Sequence, residues 1–267
     1  RNAKDMMDVE GFLVWQGDSN YVEVDVTTQI ISDSIAICLI ARTDSTKGAL
    51  PINADFDIVT HFDNVDKQLG ITVNMLPSRI NLGKLHLLIP PAQIVNKEDM
   101  TEISNLRLEV ENKPYLNING RISSLDTDTL KVNFSKAQFG DILKVFDVAN
   151  VQAVADGTLN LTKLTASPEF YTRRFDVKDI VLFQDSIGSL NVSSRWSGEE
   201  KGMRLIATLK NPKGKESQIM GLYHPTTDSL AMRINIEQFP LKWSRNFFTG
   251  LLNDLDGSVS SSLSVRG

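Results

Sequence analysis

The residues of this chain whose types could do chemistry are three histidines, one cysteine and a close pair of aspartates. His61, His86 and His224 are scattered, and no Gly-x-Ser-x-Gly or Ser-x-x-Lys pattern accompanies them. A hydrolase needs a nucleophile with an oriented base, and the chain spells out no such constellation. His86 alternates with Leu85 and Leu87, which assigns it to the wet side of a strand. Cys38 sits inside Ile35-Ala36-Ile37-Cys38-Leu39-Ile40, where a small buried apolar residue is expected rather than a nucleophile. Asp126-Thr127-Asp128 lacks the further ligands and the glycine of a calcium loop, and no His/Cys spacing resembles a zinc site. No glycine-rich loop leads into a helix in phosphate-binding form. Asn133-Phe134-Ser135, Asn160-Leu161-Thr162 and Asn191-Val192-Ser193 match the glycosylation tripeptide, but all fall on expected strands and are read as coincidence. The reading is a protein that is not an enzyme, with no cofactor and no metal.

Composition narrows the class further. The 267 residues are 41% apolar and 23% charged, which suits a folding chain rather than a disordered one. A net charge of -5 and the lack of a Lys/Arg stripe argue against nucleic acid as a partner. One cysteine excludes an intramolecular disulfide. Arg1 to Gln16 has no continuous apolar run of a secretory signal, and Ile35 to Ala41 is too short to span a bilayer. The chain is expected to be a piece of a longer protein, with its address and any anchor outside the piece.

Period-two alternation dominates, over about fourteen strands. Val22, Val24 and Val26 alternate with polar residues, as do Ile71, Val73 and Met75. The last stretch is the cleanest, with Val259, Ser261, Leu263 and Val265 on one side and serines and Arg266 on the other. Strands with one polar face belong to antiparallel sheets. Ile35 to Ile40 is apolar on both faces and is expected to be covered on both. Two short helices are expected near residues 137–147 and 241–252, where Phe139, Ile142, Leu143 and Phe146 share one helical face and Phe247, Phe248, Leu251 and Leu252 another. Pro90 to Ser104 is the best candidate for a break.

Two stretches say nearly the same thing. Gly120 and Gly221 follow short apolar strands, Asp128-Thr129-Leu130 and Asp228-Ser229-Leu230 mark turns, and Asp156-Gly157 and Asp256-Gly257 open further strands. Matching glycines lie about a hundred residues apart, the mark of a repeat architecture. The organisation read from this is an N-terminal β region over residues 1–112, then residues 113–267 with related units at about 113–163 and 216–267.

The second unit and the strand before it also carry a resemblance. Ile187-Gly188-Ser189-Leu190, Val192 and Trp196, then Ile219-Met220-Gly221 and Tyr223, Leu241, Phe247-Phe248 and Gly250, and Leu255, Gly257, Val259, Leu263, Val265 and Gly267 form one series. This series resembles the periplasmic repeats of the TamB (translocation and assembly module) family, within the wider AsmA-like group, in a form like those of Bacteroidetes. The likeness runs from about Val132 to Gly267 and is a pattern of glycines and apolar positions. It implies a long antiparallel sheet curved into a U-shaped trough, the β-taco. It also implies a place in the periplasm, anchored to the inner membrane by a segment outside this chain. The functions it implies are phospholipid transport between membranes and help in outer-membrane protein assembly, with phospholipid acyl chains and a TamA- or BamA-like barrel assembly protein as partners.

The alternation itself is compatible with either of two arrangements. A sheet with one apolar face must cover it, either by folding into a β-sandwich or by curving round something apolar. In the trough reading Phe134, Phe146, Leu159, Leu161, Met232, Ile234, Phe248, Val259, Leu263 and Val265 line one continuous concave surface. The alternatives are a structural or adhesive cell-surface β-sandwich and an accessory carbohydrate-binding domain. For the latter, four Tyr and three Trp form no evident stacking platform.

Overall fold

A computed structural model describes residues 6–16, 21–31, 33–43, 52–65, 68–83, 85–140, 151–166, 168–197, 200–224, 226–242 and 256–267. The fold is mainly antiparallel β, with eighteen strands among the described residues. The chain divides into two units, with the boundary at Val132/Asn133.

In the first unit β1 (Met6–Gln16), β2 (Tyr21–Ile31), β3 (Ser34–Thr43) and β4 (Ile52–Val65) run as a plain antiparallel meander. β4 is long enough to pair with two short strands, β5 (Gln68–Met75) along its second half and β6 (Ser78–Leu82) along its first. β6 pairs onward with β7 (Leu85–Ile89), and β5 with β8 (Ala92–Lys97). Both rows reach β9 (Met100–Val110), which pairs with β10 (Lys113–Ile122).

Prolines stand where these rows split. Pro77 separates β5 from β6, and Pro90-Pro91 separates β7 from β8, because proline has no N–H for the ladder. The expected break over Pro90 to Ser104 is therefore a joint inside one ladder. At the first joint the buried Ser78 hydroxyl bridges the neighbouring backbones where the ladder is broken. It accepts from Asp57 N at 3.2 Å and donates to Leu76 O at 2.9 Å. Replacing Ser78 with Ala leaves the Asp57 N–H without that acceptor. The expected loss is about 1–3 kcal/mol in urea unfolding, against near zero for a change at an exposed serine.

β3 corrects another expectation. Its first side carries Ile35, Ile37 and Leu39, in rows with Val26, Phe56 and Ile58. On its second side Ile40 stands between Asp25 and Asp55, both exposed. A residue flanked by solvated carboxylates is not under a second apolar layer, so β3 is not covered on both faces.

β11 (Thr129–Gln138) crosses the division. In the second unit β12 (Val151–Thr162), β13 (Glu169–Leu182), β14 (Asp185–Ser197), β15 (Gly202–Lys210), β16 (Glu216–His224), β17 (Ser229–Pro240) and β18 (Ser258–Arg266) follow, each pairing with the next. The β15–β16 turn shows why the sequence folds back here. The Asn211 side-chain oxygen accepts from Lys213 N at 3.0 Å and Lys215 N at 2.9 Å, and its amide donates to Gln238 O at 2.9 Å. Asn-Pro-Lys-Gly thus satisfies its own backbone and ties the turn to β17.

The two sequence repeats share an order of elements, β10–β11–β12 and β16–β17–β18. Their glycines differ in conformation. Gly120 has φ 126 at a register shift against β9, whereas Gly221 lies in unbroken register between Leu205 and Met232. Gly257 directly precedes β18, as a strand-opening glycine should, but β12 begins at Val151 and Gly157 lies in its middle. Of the two expected helices, Phe139–Gly140 and Leu241–Lys242 are helical, Ala137 and Gln138 belong instead to the end of β11 (Thr129–Gln138), and the remainder lies outside the described residues.

Candidate functional site: an apolar sheet face

Directly opposed residues of an antiparallel ladder point to the same side of the sheet. Register alone therefore strings Leu263, Ile234, Ile219, Ala207, Val192, Phe175 and Gly157 into one row from β18 to β12. A second row on that side joins Val265, Met232, Gly221, Leu205, Ser194 and Thr172. A third carries Leu209, Leu190, Val177 and Ala155. The apolar side of the second unit is thus continuous across seven strands.

The opposite side is polar in the same register. Asp156, Asp176, Asn191, Thr208, Gln218, Asn235 and Ser262 form one row. Ser262 donates to Asn235 at 2.8 Å, and Asp176 accepts from Asn191 and Arg174, each at 2.6 Å. Burial works against the charge on Asp176, but the hydrogen bonds from Asn191 and Arg174 outweigh it and hold the carboxyl below its ordinary value. A lowered carboxylate contributes stability above its unfolded pKa and loses it as pH falls through the folded one. Asp176→Asn is expected to unfold more easily than the parent near pH 7, and the gap is expected to shrink as pH falls through the lowered folded pKa of the carboxyl. Urea titrations at pH 7 and at successively lower pH check this, and a gap that does not narrow with acid would contradict it.

β13 keeps its alternation in step with its neighbours only through bulges. Register shifts separate Thr172 from Phe175, Val177 from Ile180, and Ile180 from Val181. At the first, the Ser194 hydroxyl accepts from Thr172 N at 3.0 Å, closing a backbone donor that the bulge takes from the ladder. The result returns Phe175 to the apolar side. Its ring meets Phe134 edge-on at 5.3 Å, and Phe134 meets Phe139 at 5.7 Å. Gly157 lies under this contact. A Cβ there would stand 2.9 Å from Phe175 Cα and 3.1 Å from its ring, so the aromatic pair needs the glycine.

Among the described residues no packed second layer seals this face. Among the described residues the largest fully buried side chains are Thr172 and Ser78, whereas a sandwich core would bury leucines, isoleucines and aromatics to that degree. Leu263 is 49% and Val265 47% exposed. Phe134, Leu159, Leu161, Met232, Ile234 and Val259 are half-buried.

The structure brings together eight of the ten residues singled out from sequence. Met232 faces Val265 and Ile234 faces Leu263 as direct cross-strand pairs. Val259 opposes Phe239 beyond a bulge, and Leu161 opposes Phe170. Leu159 alternates with Gly157 and Leu161 along β12, and Phe134 joins through Phe175. Phe146 and Phe248 lie outside the described residues. Phe175, Val192, Ala207 and Ile219 were missed. Val192 and Ala207 had the strand alternation that could have found them, but the link from strand to strand needed the register.

The residues with chemical potential are dispersed. Ser34 and His61 are a cross-strand pair in the first unit, sharing a hydrogen bond between Oγ and Nδ1 at 2.7 Å. His86 is exposed and bonded to Asn81 at 2.7 Å, on the wet side as expected. Cys38, Asp55 and Asp57 bring one ligand atom each within 4.8 Å of one another. Burial raises the Cys38 thiol above its ordinary pKa, and Asp57 and Asp55 raise it further, which suits neither a nucleophile nor a thiolate ligand. No helix among the described residues is long and apolar enough to cross a membrane. Comparison with protein-family models, with curated proteins and with solved structures finds no match.

Proposed function

We propose that this chain is a segment of an envelope protein of the TamB/AsmA-like kind, and that the apolar face of its second unit is one wall of a groove for phospholipid acyl chains. The observation that carries this reading is the continuous apolar side across seven strands, polar behind and, among the described residues, without a packed layer in front. Acyl chains are the natural cover for such a face, since each buried CH₂ contributes about 0.8 kcal/mol. Leu263 and Val265, about half exposed, need no special geometry to be covered by a fluid chain. In this reading the protein stands in the periplasm, held to the inner membrane by a segment outside this chain. It passes phospholipid between inner and outer membranes or assists outer-membrane protein assembly beside a TamA- or BamA-like partner.

A fluorescent fatty-acyl probe titrated into the purified chain is expected to bind saturably, with the blue-shifted emission of an apolar environment. Emission that rises without saturation, as for a control β protein, would contradict a groove.

A further inference from the structure

The polar side of the second unit carries an arginine cluster that the groove does not use. Register sets Arg195, Arg204, Leu222, Ala231 and Arg266 in one row across β14 to β18. The adjacent row is Ser193, Ile206, Met220, Arg233 and Ser264. Four apolar side chains, Ile206, Met220, Leu222 and Ala231, thus form a floor with arginines on both flanks. Ile206 is 44% and Met220 37% exposed, and these residues line a shallow depression with Arg204, Arg233 and Arg266.

Two features make this more than a solvated surface. Arg195 stands directly opposite Arg204, an arrangement of like charges that weakens a ladder. Only Arg204 is balanced, by Glu200; Arg195, Arg233 and Arg266 have no ion pair among the described residues. At the other end of the same face Lys210 opposes Glu216, and Lys215 pairs with Glu237. Positive charge is therefore gathered at one end, although the chain carries a net charge of -5.

We propose that this outer face docks on an anionic phospholipid surface, with the arginines on headgroup phosphates and Ile206 and Met220 seated among them. Guanidinium groups match phosphate oxygens bidentately, and a bound anion removes the Arg195–Arg204 repulsion. The two flanks lie roughly 14 Å apart by strand spacing, so they meet separate headgroups rather than one. Exposed apolar side chains ringed by arginines suit shallow entry into the headgroup layer. The patch has no aromatic residue to stack bases, which disfavours a nucleic acid.

The test is flotation of the 267-residue chain with vesicles of phosphatidylcholine, with and without phosphatidylglycerol. Binding is expected only with phosphatidylglycerol, to fall as salt rises, and to drop at least about tenfold for a triple variant R195E/R233E/R266E. The triple variant R195K/R233K/R266K is expected to retain most of it, which separates loss of charge from loss of fold. Lys213→Glu, in the exposed β15–β16 turn at the far end of the sheet from the arginines, is expected to float like the parent. Equal binding to neutral vesicles, an unaffected triple-glutamate variant, loss of flotation by Lys213→Glu, or tighter binding to an acidic peptide than to the vesicles would each overturn the assignment.

Discussion

Leu263→Asp is expected to leave the chain folded and to weaken acyl-probe binding about tenfold or more, while Ser262→Asp changes neither. The two positions are neighbours on β18 and point to opposite sides of the sheet. Leu263 opposes Ile234 on the apolar side, and Ser262 opposes Asn235 on the polar side. Because Leu263 is 49% exposed, a carboxylate there keeps its water in the free protein, and unfolding should shift by about 1 kcal/mol or less. Once an acyl chain lies across the face, the same carboxylate must be dehydrated or the chain displaced, so the penalty falls on binding. A packed core would reverse the pattern, with Leu263→Asp unfolding the protein. Equal loss of binding in both variants would show that the probe does not distinguish the faces.

Gly188→Ala is expected to cost about 3 kcal/mol or more, a fall of roughly 10 °C in the unfolding midpoint of the second unit. Gly188 has φ 118, in the half of conformational space that a side chain disfavours. Its added Cβ would also enter the space of the Lys210 carbonyl oxygen and stand 3.0 Å from Asn211 Cα. Relief requires β14 and β15 to separate where Asn211 organises the turn, so strain and lost pairing add. Thermal unfolding followed by circular dichroism measures it. A midpoint within about 2 °C of the parent would mean that the backbone at this crossing is not as described.

Much of the fold was legible because alternation is a local property. Val259, Leu263 and Val265 declare one side of β18 without reference to any other strand, and the polar residues between them declare the other. β13 was illegible for the opposite reason. Its bulges reset the alternation between Thr172 and Phe175, so a period of two read along the chain fails although the side chains share a face in the sheet. Gly157 was misread as a strand opener because Asp-Gly also makes turns. What holds it mid-strand is Phe175, a partner that only the β12–β13 register supplies. Similarly, Pro90-Pro91 reads as an end from sequence, whereas the ladder resumes at Ala92 because β5 is there to pair with β8. The candidate face was visible in outline from β12, β17 and β18. Its middle, through Phe175, Val192, Ala207 and Ile219, depended on which residues stand opposite one another, and that is fixed by turns and bulges far from each.

The central claim is that the apolar face of the second unit takes up acyl chains, and the most direct measurement is lipid extraction and mass spectrometry of the chain purified without detergent. The expected result is co-purifying phospholipid in the parent and a depleted amount in Leu263→Asp, with both proteins folded. Phospholipid no higher than in a soluble β protein purified alongside, and no difference between parent and variant, would contradict the claim and leave the face without a lipid role.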